Sequence, residues 1–156
     1  MSRRHLPTLA ASLVFQSPPL LEQARQRLGG PGRSEPGVGT FVVVSAAGAP
    51  SAPGVVLFVA GSELDVWTGR GRVVRTQRDR VTAFAGSAPR ELTSIASAAR
   101  LFASLVEGGR VRYLDAEGTA REGTLFEMCR YGALVARDDA HIMAVGFSKL
   151  RPASLC

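Results

Sequence analysis

The sequence is poor in the residue types on which catalytic and metal sites depend. Its 156 residues include two cysteines, two histidines and one lysine, and aromatic residues make up 6%. Cys129 and Cys156 provide neither a disulfide framework nor the ligand spacing of a metal site. His5 and His141 match no family signature that pairs a histidine with a nucleophile. We therefore predict a protein that is not an enzyme and that uses no cofactor and no metal.

Long apolar runs are also missing, and none approaches the roughly 20 residues of a membrane-spanning helix. Arg3 and Arg4 precede the apolar segment 9–15, as in an export signal. Ser12 interrupts that segment, however, and the sequence after it is a poor cleavage site. We expect a cytoplasmic protein of bacterial type that does not enter a membrane.

Positive charge is abundant and comes almost entirely from arginine. The formal net charge is +6, and 18 of the 19 basic residues are arginine. The planar guanidinium group donates two hydrogen bonds at once to phosphate or carboxylate, which lysine cannot do. Phosphate-bearing partners are one explanation of this composition, and a GC-rich genome that favours arginine codons is the other.

A similar order of short apolar segments occurs twice in the chain. The segment 54–81 contains three strand-like runs separated by glycine- and aspartate-containing turns, and a matching set follows 69 residues later, over 123–150. A further strand precedes each set, at Thr40–Val44 and at Arg110–Leu114. Few residues are identical between the copies, so the pattern indicates a structural duplication more than a sequence duplication.

Helix and linker signals divide the chain into four parts. Apolar residues from Leu92 to Val106 recur at helical spacing between Pro89 and the stop signal Gly108–Gly109. A shorter helix is expected over Pro18–Leu28, and the loop signals at 45–53 are rich in alanine, glycine and proline. We predict an N-terminal arm with a short helix and linker at 1–39, a first β module at 40–87, a connecting helix at 88–108, and a second β module at 109–156.

Five short strands with a long first hairpin make each module resemble an SH3-like barrel of the Tudor and KOW type. The resemblance covers about residues 40–86 and 109–153, and it implies a mainly β (α+β) protein of two tandem five-stranded barrels with a bridging helix. A single six- or seven-stranded barrel around the helix is the alternative. Methyl-lysine recognition does not carry over, because the aromatic residues are too dispersed for a Tudor-type cage; they are Phe58, Trp67 and Phe84 in the first module, and Tyr113, Tyr131 and Phe147 in the second.

A run of arginines in the first module is the main candidate for a binding site. The run spans a turn and a strand, and its arginines could lie along a charged strand edge that binds a phosphate backbone. Trp67, just before the run, is placed to stack on a base. Arg3, Arg4, Arg25 and Arg27 would add to it from the arm. The alternative is a solvated strand edge on which charge opposes aggregation. The predicted nucleic-acid (RNA or DNA) contacts are Trp67, Arg70, Arg72, Arg75, Arg78 and Arg80.

A second function of a different class fits the same sequence. The protein could be an adaptor or assembly subunit that binds another protein through its barrel edges or its N-terminal helix. Leu20, Leu21 and Leu28 lie on one side of that helix and would form the contact. The nearly balanced charge of the second module favours this hypothesis, whereas the arginine run favours nucleic acid.

Overall fold

The computed structural model describes residues 2–5, 14–15, 17–46, 49–69, 71–139 and 141–153. These residues form a mainly β protein with two α-helices, as predicted. In chain order the elements are β1 (Ser2–His5), β2 (Val14–Phe15), α1 (Pro18–Arg27), β3 (Phe41–Ala46), β4 (Ala49–Ala60), β5 (Glu63–Gly69), β6 (Arg72–Gln77), β7 (Val81–Ala83), α2 (Arg90–Ala103), β8 (Arg110–Leu114), β9 (Ala120–Met128), β10 (Gly132–Ala136), β11 (Ile142–Gly146) and β12 (Leu150–Pro152).

The contacts of the chain define two compact units. Unit 1 contains Met1–Leu6 and Ser34–Arg100, and unit 2 contains Pro7–Arg33 and Leu101–Cys156. The N-terminal arm is therefore divided, since β1 belongs to unit 1 whereas β2 and α1 belong to unit 2. The boundary between the units also falls within α2, after Arg100. The sequence predicted a division into four parts, and that division stays a prediction.

Each unit contains one antiparallel six-stranded sheet with the same order of strands. The order is β7–β3–β4–β5–β6–β1 in unit 1 and β12–β8–β9–β10–β11–β2 in unit 2. In both sheets four strands follow one another as hairpins, and the fifth returns to pair with the first. A short segment from the N-terminal arm then pairs with the fourth strand, as β1 on β6 and β2 on β11.

From β3 and from β8 onward, the strands of the two units begin at equivalent positions 69 to 71 residues apart. A short 3-10 helix precedes the last strand of each sheet, at Arg78–Arg80 and at Phe147–Lys149. Gly54 and Gly123 are equivalent: a Cβ atom at either would lie within 2.7 Å of a valine Cγ1 and of a carbonyl oxygen on the neighbouring strand. Both positions therefore need glycine, because only a residue without Cβ permits this close approach.

The second strand of each sheet also carries a bulge at equivalent positions. The pairing of β4 with β5 skips Leu57, and the pairing of β9 with β10 skips Phe126. A bulge bends its strand and increases the local twist. We therefore expect each long second strand to be bent at its bulge, between its pairing with the first strand and its pairing with the third.

Valine-rich alternation explains the core of unit 1. Side chains from β3, β4, β5 and β6 that point to one face of the sheet pack together, with Val81 against them. The buried members of this cluster are Val42, Val44, Val56, Val59, Leu64, Val66 and Val74. The start of β3 is also held by Arg100, whose Nη2 donates to the Gly39 carbonyl at 2.7 Å.

Unit 2 has a smaller core cluster to which α1 contributes. Ala24 and Leu28 are fully buried with Cys129, Leu134 and Ala144, and Leu21 packs against them. Two prolines occupy the first turn of α1, and Gly29 and Gly30 follow its end with positive φ angles, as the sequence predicted. The helix is an integral part of this unit.

The predicted loop at 45–53 is wrong over most of its length. Strand β3 continues to Ala46, and β4 begins at Ala49, with Val44 opposite Ala52 and Val43 opposite Pro53. Alanine, glycine and proline have low strand propensity, but pairing with β3 overrides it at these positions. No helix among the described residues is long and apolar enough to span a membrane.

Candidate nucleic-acid interface

The structure separates the predicted arginine contacts into three groups. Arg72 is exposed at the start of β6, and Arg78 and Arg80 are exposed on the 3-10 helix that follows the strand. Arg75 lies half-buried between them. Arg70 falls outside the described residues. Six residues of extended chain separate Arg72 from Arg78, a span of about 20 Å.

Arg75 is held within unit 1 by a buried carboxylate. Its Nε donates to Oδ1 of Asp65 at 2.9 Å, and Glu63 Oε1 lies 3.5 Å from the same nitrogen. Asp65 is fully buried and stands directly opposite Arg75 in the pairing of β5 with β6. Because its charge is matched inside the unit, Arg75 is placed as a structural residue rather than as a contact for phosphate.

Trp67 is buried, with 4% of its surface exposed. It stands opposite Val55 on one neighbouring strand and Val73 on the other, and both valines are buried as well. Neither face of the indole ring is therefore open to a nucleic-acid base. Stacking was predicted because Trp67 comes just before the arginine run. That position in the sequence does not indicate on which face of the strand the side chain lies.

Strand β6 is not an edge of its sheet, because β1 pairs with it. In the backbone register Arg3 stands opposite Val74 and Arg4 opposite Val73. The first residues of the chain are thereby brought beside a strand some 70 positions away. The pairing adds two arginine positions to the part of unit 1 that already holds Arg72, Arg78 and Arg80.

The excess of positive charge lies mainly in unit 1. This unit contains nine arginines against five aspartates and glutamates, a net charge of +4, whereas unit 2 contains ten basic residues against eight acids, a net charge of +2. The sequence already indicated a nearly balanced charge in the second module. The structural division keeps that asymmetry.

A concave surface of about 470 Å³ lies beside the 3-10 helix of unit 1. It is lined by Ser62, Gln77, Arg78 and Asp79. The backbone N–H of Arg78 donates to the Ser62 carbonyl at 2.7 Å, and its Nη2 donates to the Gly61 carbonyl at 3.1 Å. These bonds hold both the backbone and the guanidinium group of Arg78 against the β4–β5 turn. Polar donors and an exposed guanidinium group thus converge at one end of the sheet.

The leucines proposed for partner binding do not form one exposed face. Leu20 is 40% exposed, but Leu21 is partly covered and Leu28 has no exposed surface. Helix α1 is further fixed by Arg25, whose Nε donates to Glu127 Oε2 at 2.5 Å. The apolar side of α1 packs against the core of unit 2. The helical spacing of the leucines predicts an apolar side, but it does not indicate whether that side packs within the unit or binds a partner.

Cys129 is an unreactive thiol in the core beneath α1. Burial is the main cause that raises its pKa to about 12. At pH 8 only about one molecule in ten thousand would carry the nucleophilic thiolate. We expect a Cys156→Ser variant, in which Cys129 is the one remaining thiol, to resist iodoacetamide while folded and to react fully in guanidinium chloride. Alkylation of the folded variant at the rate of a free thiol would contradict this burial.

Unit 2 has a charged cleft of about 480 Å³ that no pattern in the sequence indicated. It lies between the β8–β9 hairpin and the β10–β11 turn, where Gly123 lets the strands approach. Its arginines come from three separate segments of the chain, so that no local pattern brings them together. The lining residues are Arg110, Tyr113, Ala120, Arg121, Glu122, Arg137, Asp138 and Asp139.

Asp115 anchors the hairpin that forms one side of this cleft. Its carboxylate accepts the Arg121 Nε–H at 2.6 Å and the backbone N–H groups of Glu117 and Thr119 at 3.0 and 2.8 Å. The Arg121 hydrogen bond is the largest cause that holds the pKa of Asp115 below its ordinary value. The Asp115 carboxylate therefore closes the turn at 115–118 and also joins it to β9 through an ion pair.

This lowered pKa makes the stability of unit 2 depend on pH. A carboxylate with a lower pKa in the folded state stabilises the fold above its unfolded pKa, and the contribution disappears as the pH falls through the folded pKa. We expect Asp115→Asn to lower the thermal midpoint at pH 7, and we expect this deficit to shrink as the pH falls below about 4, the ordinary pKa of an aspartate. Circular dichroism melts between pH 2 and pH 7 would measure this. A deficit that does not vary with pH would contradict it.

Neither a metal centre nor a known family adds to these surfaces. Among the described residues, no group of three or more histidine, cysteine, aspartate or glutamate side chains is arranged to hold a metal ion. The sequence matches no model of a known protein family, and no curated protein resembles it significantly.

Proposed function

We propose that the protein binds nucleic acid through the phosphate backbone, at the arginine-rich end of unit 1. The observation that carries the proposal is the pairing of β1 with β6, which brings the positions of Arg3 and Arg4 beside the strand that leads from Arg72 to Arg78. Arginines distant in sequence thereby share one part of one sheet. We infer a cytoplasmic, non-catalytic protein that acts by binding RNA or DNA.

Arg72, Arg78 and Arg80 are the side chains that we assign to phosphate contacts. All three are exposed, and their span of about 20 Å corresponds to roughly six base steps of a B-form strand. Trp67 and Arg75 support the surface from within rather than contact the ligand. Because Trp67 is buried, affinity would come mainly from charge, so we expect little preference for base sequence.

We also propose that each unit is a small SH3-like barrel of the Tudor and KOW type. The return of the fifth strand to the first, through β7–β3 and β12–β8, is the pairing that folds a five-stranded meander back on itself. The bulges at Leu57 and Phe126 favour curled sheets, since bulges bend strands. Small barrels commonly bind single strands in a positively charged groove, and charge is the part of that arrangement which unit 1 supplies.

The adaptor hypothesis receives less support from the contacts of α1. Of its three proposed leucines, Leu28 is fully buried and Leu21 packs on the core of unit 2. Removing them would disturb the fold before it disturbed any partner. Nucleic-acid binding is the function that the exposed charge of unit 1 supports better.

The double variant Arg78→Glu with Arg80→Glu tests the proposal. Both side chains are exposed, so the fold should be retained. Two lost phosphate contacts at about 1 kcal/mol each would weaken binding by about thirtyfold. Fluorescence anisotropy with a labelled single-stranded RNA and a labelled DNA duplex at low salt would measure the affinity.

The matched control is the double variant Arg90→Glu with Arg112→Glu. It changes the net charge by the same amount and alters two exposed arginines outside the proposed surface. We expect this control to lose far less affinity. Equal losses in both variants would mean that overall charge, and not this surface, determines binding.

A further inference from the structure

The charged cleft of unit 2 has the features of a second binding site. Tyr113 forms part of its lining although only 2% of the residue is exposed, so that a polar side chain is buried at the cleft. Arg121 and Arg137 line the same space from the hairpin and from the β10–β11 turn. Both guanidinium groups are close enough to act on the charge state of the Tyr113 phenol, whose pKa is raised mainly by burial. The phenol therefore stays protonated at neutral pH and can donate a hydrogen bond.

The arginines of the cleft have hydrogen-bond donors to spare. Each guanidinium group carries five N–H donors. Arg121 donates to Asp115 through Nε, Arg137 contacts Asp139 through Nη2 at 3.1 Å, and Arg110 contacts Asp138 through Nη1 at 2.9 Å. Asp115, the partner of Arg121, already accepts three hydrogen bonds. The cleft therefore has a surplus of donors and suits a ligand that offers acceptors.

The acidic residues of the cleft narrow the choice of acceptor. Glu122 lines the cleft and has no ion-pair partner among the residues that the structure describes. Asp138 is exposed on the opposite side. Together with Asp139, and with Asp115 bonded to Arg121, these carboxylates outnumber the three arginines by four to three, so that a multiply charged anion such as phosphate would gain little from the local field. A singly charged carboxylate with a cation beside it would meet both sets of groups.

We propose that this cleft binds a peptide carboxylate that has a positively charged group next to it. The carboxylate lies between Arg121 and Arg137 and accepts the Tyr113 hydroxyl, because a guanidinium fork matches a carboxylate in shape. The adjacent cation meets the carboxylates that line the same cleft. An open and mostly charged cleft fits a peptide better than a drug-like molecule, since small-molecule pockets are mainly apolar. This site goes beyond the nucleic-acid surface, which belongs to unit 1.

Titration of the ¹⁵N-labelled full chain, followed by NMR, tests the proposal with four probes. The first is a short peptide with one glutamate and one lysine and with both ends blocked. The second replaces its glutamate with glutamine, the third is the second with a free carboxyl terminus, and the fourth is inorganic phosphate. We expect the first or the third probe to shift the amide signals of Tyr113 and Gly123. Binding of the first probe would identify a side-chain carboxylate as the ligand, and binding of the third would identify a terminal carboxylate.

The variants Tyr113→Phe and Arg137→Gln locate the interaction. Tyr113→Phe removes one hydroxyl from a buried ring and should weaken binding about fivefold, and Arg137→Gln should weaken it about tenfold or more. Arg27→Gln, an exposed change on helix α1 of the same unit, is the control and should bind as the wild type does. The proposal is overturned if neither carboxylate probe binds, if phosphate or the blocked glutamine peptide binds as tightly, or if both cleft variants keep full affinity.

Discussion

Replacing Arg75 with methionine is expected to lower the free energy of unfolding by about 3–5 kcal/mol, because it leaves a buried carboxylate without its cation. Asp65 has no exposed surface, and Arg75 donates to it at 2.9 Å from the neighbouring strand. Urea denaturation at pH 7, followed by circular dichroism, would measure the change. An effect of this size is a large part of the stability of a domain of this length.

Two further variants separate the ion pair from simple loss of an arginine. Arg72→Met removes an exposed arginine from the same strand and should change the free energy of unfolding by no more than about 0.5 kcal/mol. Asp65→Leu combined with Arg75→Met removes both charges and should recover most of the stability, since a buried pair can often be replaced by apolar side chains. If Arg75→Met is as stable as Arg72→Met, the ion pair does not hold β5 and β6 together.

Gly132→Ala is expected to destabilise unit 2 by about 3 kcal/mol, at the upper end of the cost of overpacking. A Cβ atom at this position would collide with the carbonyl oxygen of Val145 and would lie 2.7 Å from Leu28 Cδ2 and 3.1 Å from the Gly146 Cα. The carbonyl belongs to β11, which pairs with β10 along its whole length, so that neither backbone can move aside without breaking the ladder. The overlap could be relieved only if the paired strands β10 and β11 moved apart, which would disturb the core.

Gly61→Ala is the control for this prediction. Gly61 lies in the β4–β5 turn with φ +60°, and a Cβ there would meet nothing within 4 Å. Its substitution costs only the strain of the left-handed conformation, about 1 kcal/mol. Thermal melts of the two variants should therefore differ clearly, with Gly132→Ala the less stable. Equal midpoints would contradict the close approach of β10 and β11.

The positions of most strands could be predicted because the chain marks them locally. Runs of valine, leucine and isoleucine between glycine- and aspartate-containing turns indicated the strands, and β8 begins and ends at the residues predicted. Helix α2 was found between Arg90 and Ala103, within the predicted range. The residues 49–53 were missed because alanine and proline carry no strand signal of their own, and their pairing with β3 is a tertiary effect.

The surfaces were harder to predict, because they depend on which strands become neighbours. The arginine run suggested five equivalent charges, but the register of β5 against β6 sets Arg75 opposite Asp65. Trp67 is covered for the same reason, since both of its cross-strand partners are apolar. The pairing of β1 with β6 joins residues too distant in sequence for any local pattern to indicate it. The leucines of α1 gave the correct helix but not its packing partner.

The measurement that tests the central proposal most directly is the salt dependence of nucleic-acid binding by the wild-type chain. Three neutralised phosphates on a single strand predict a loss of affinity of about twentyfold between about 50 and 200 mM salt, because each contact releases a counterion. Micromolar or tighter binding at the lower salt, with this decline, is the predicted result. No binding at about 50 mM salt, or binding that does not change with salt, would contradict a phosphate-binding surface on unit 1.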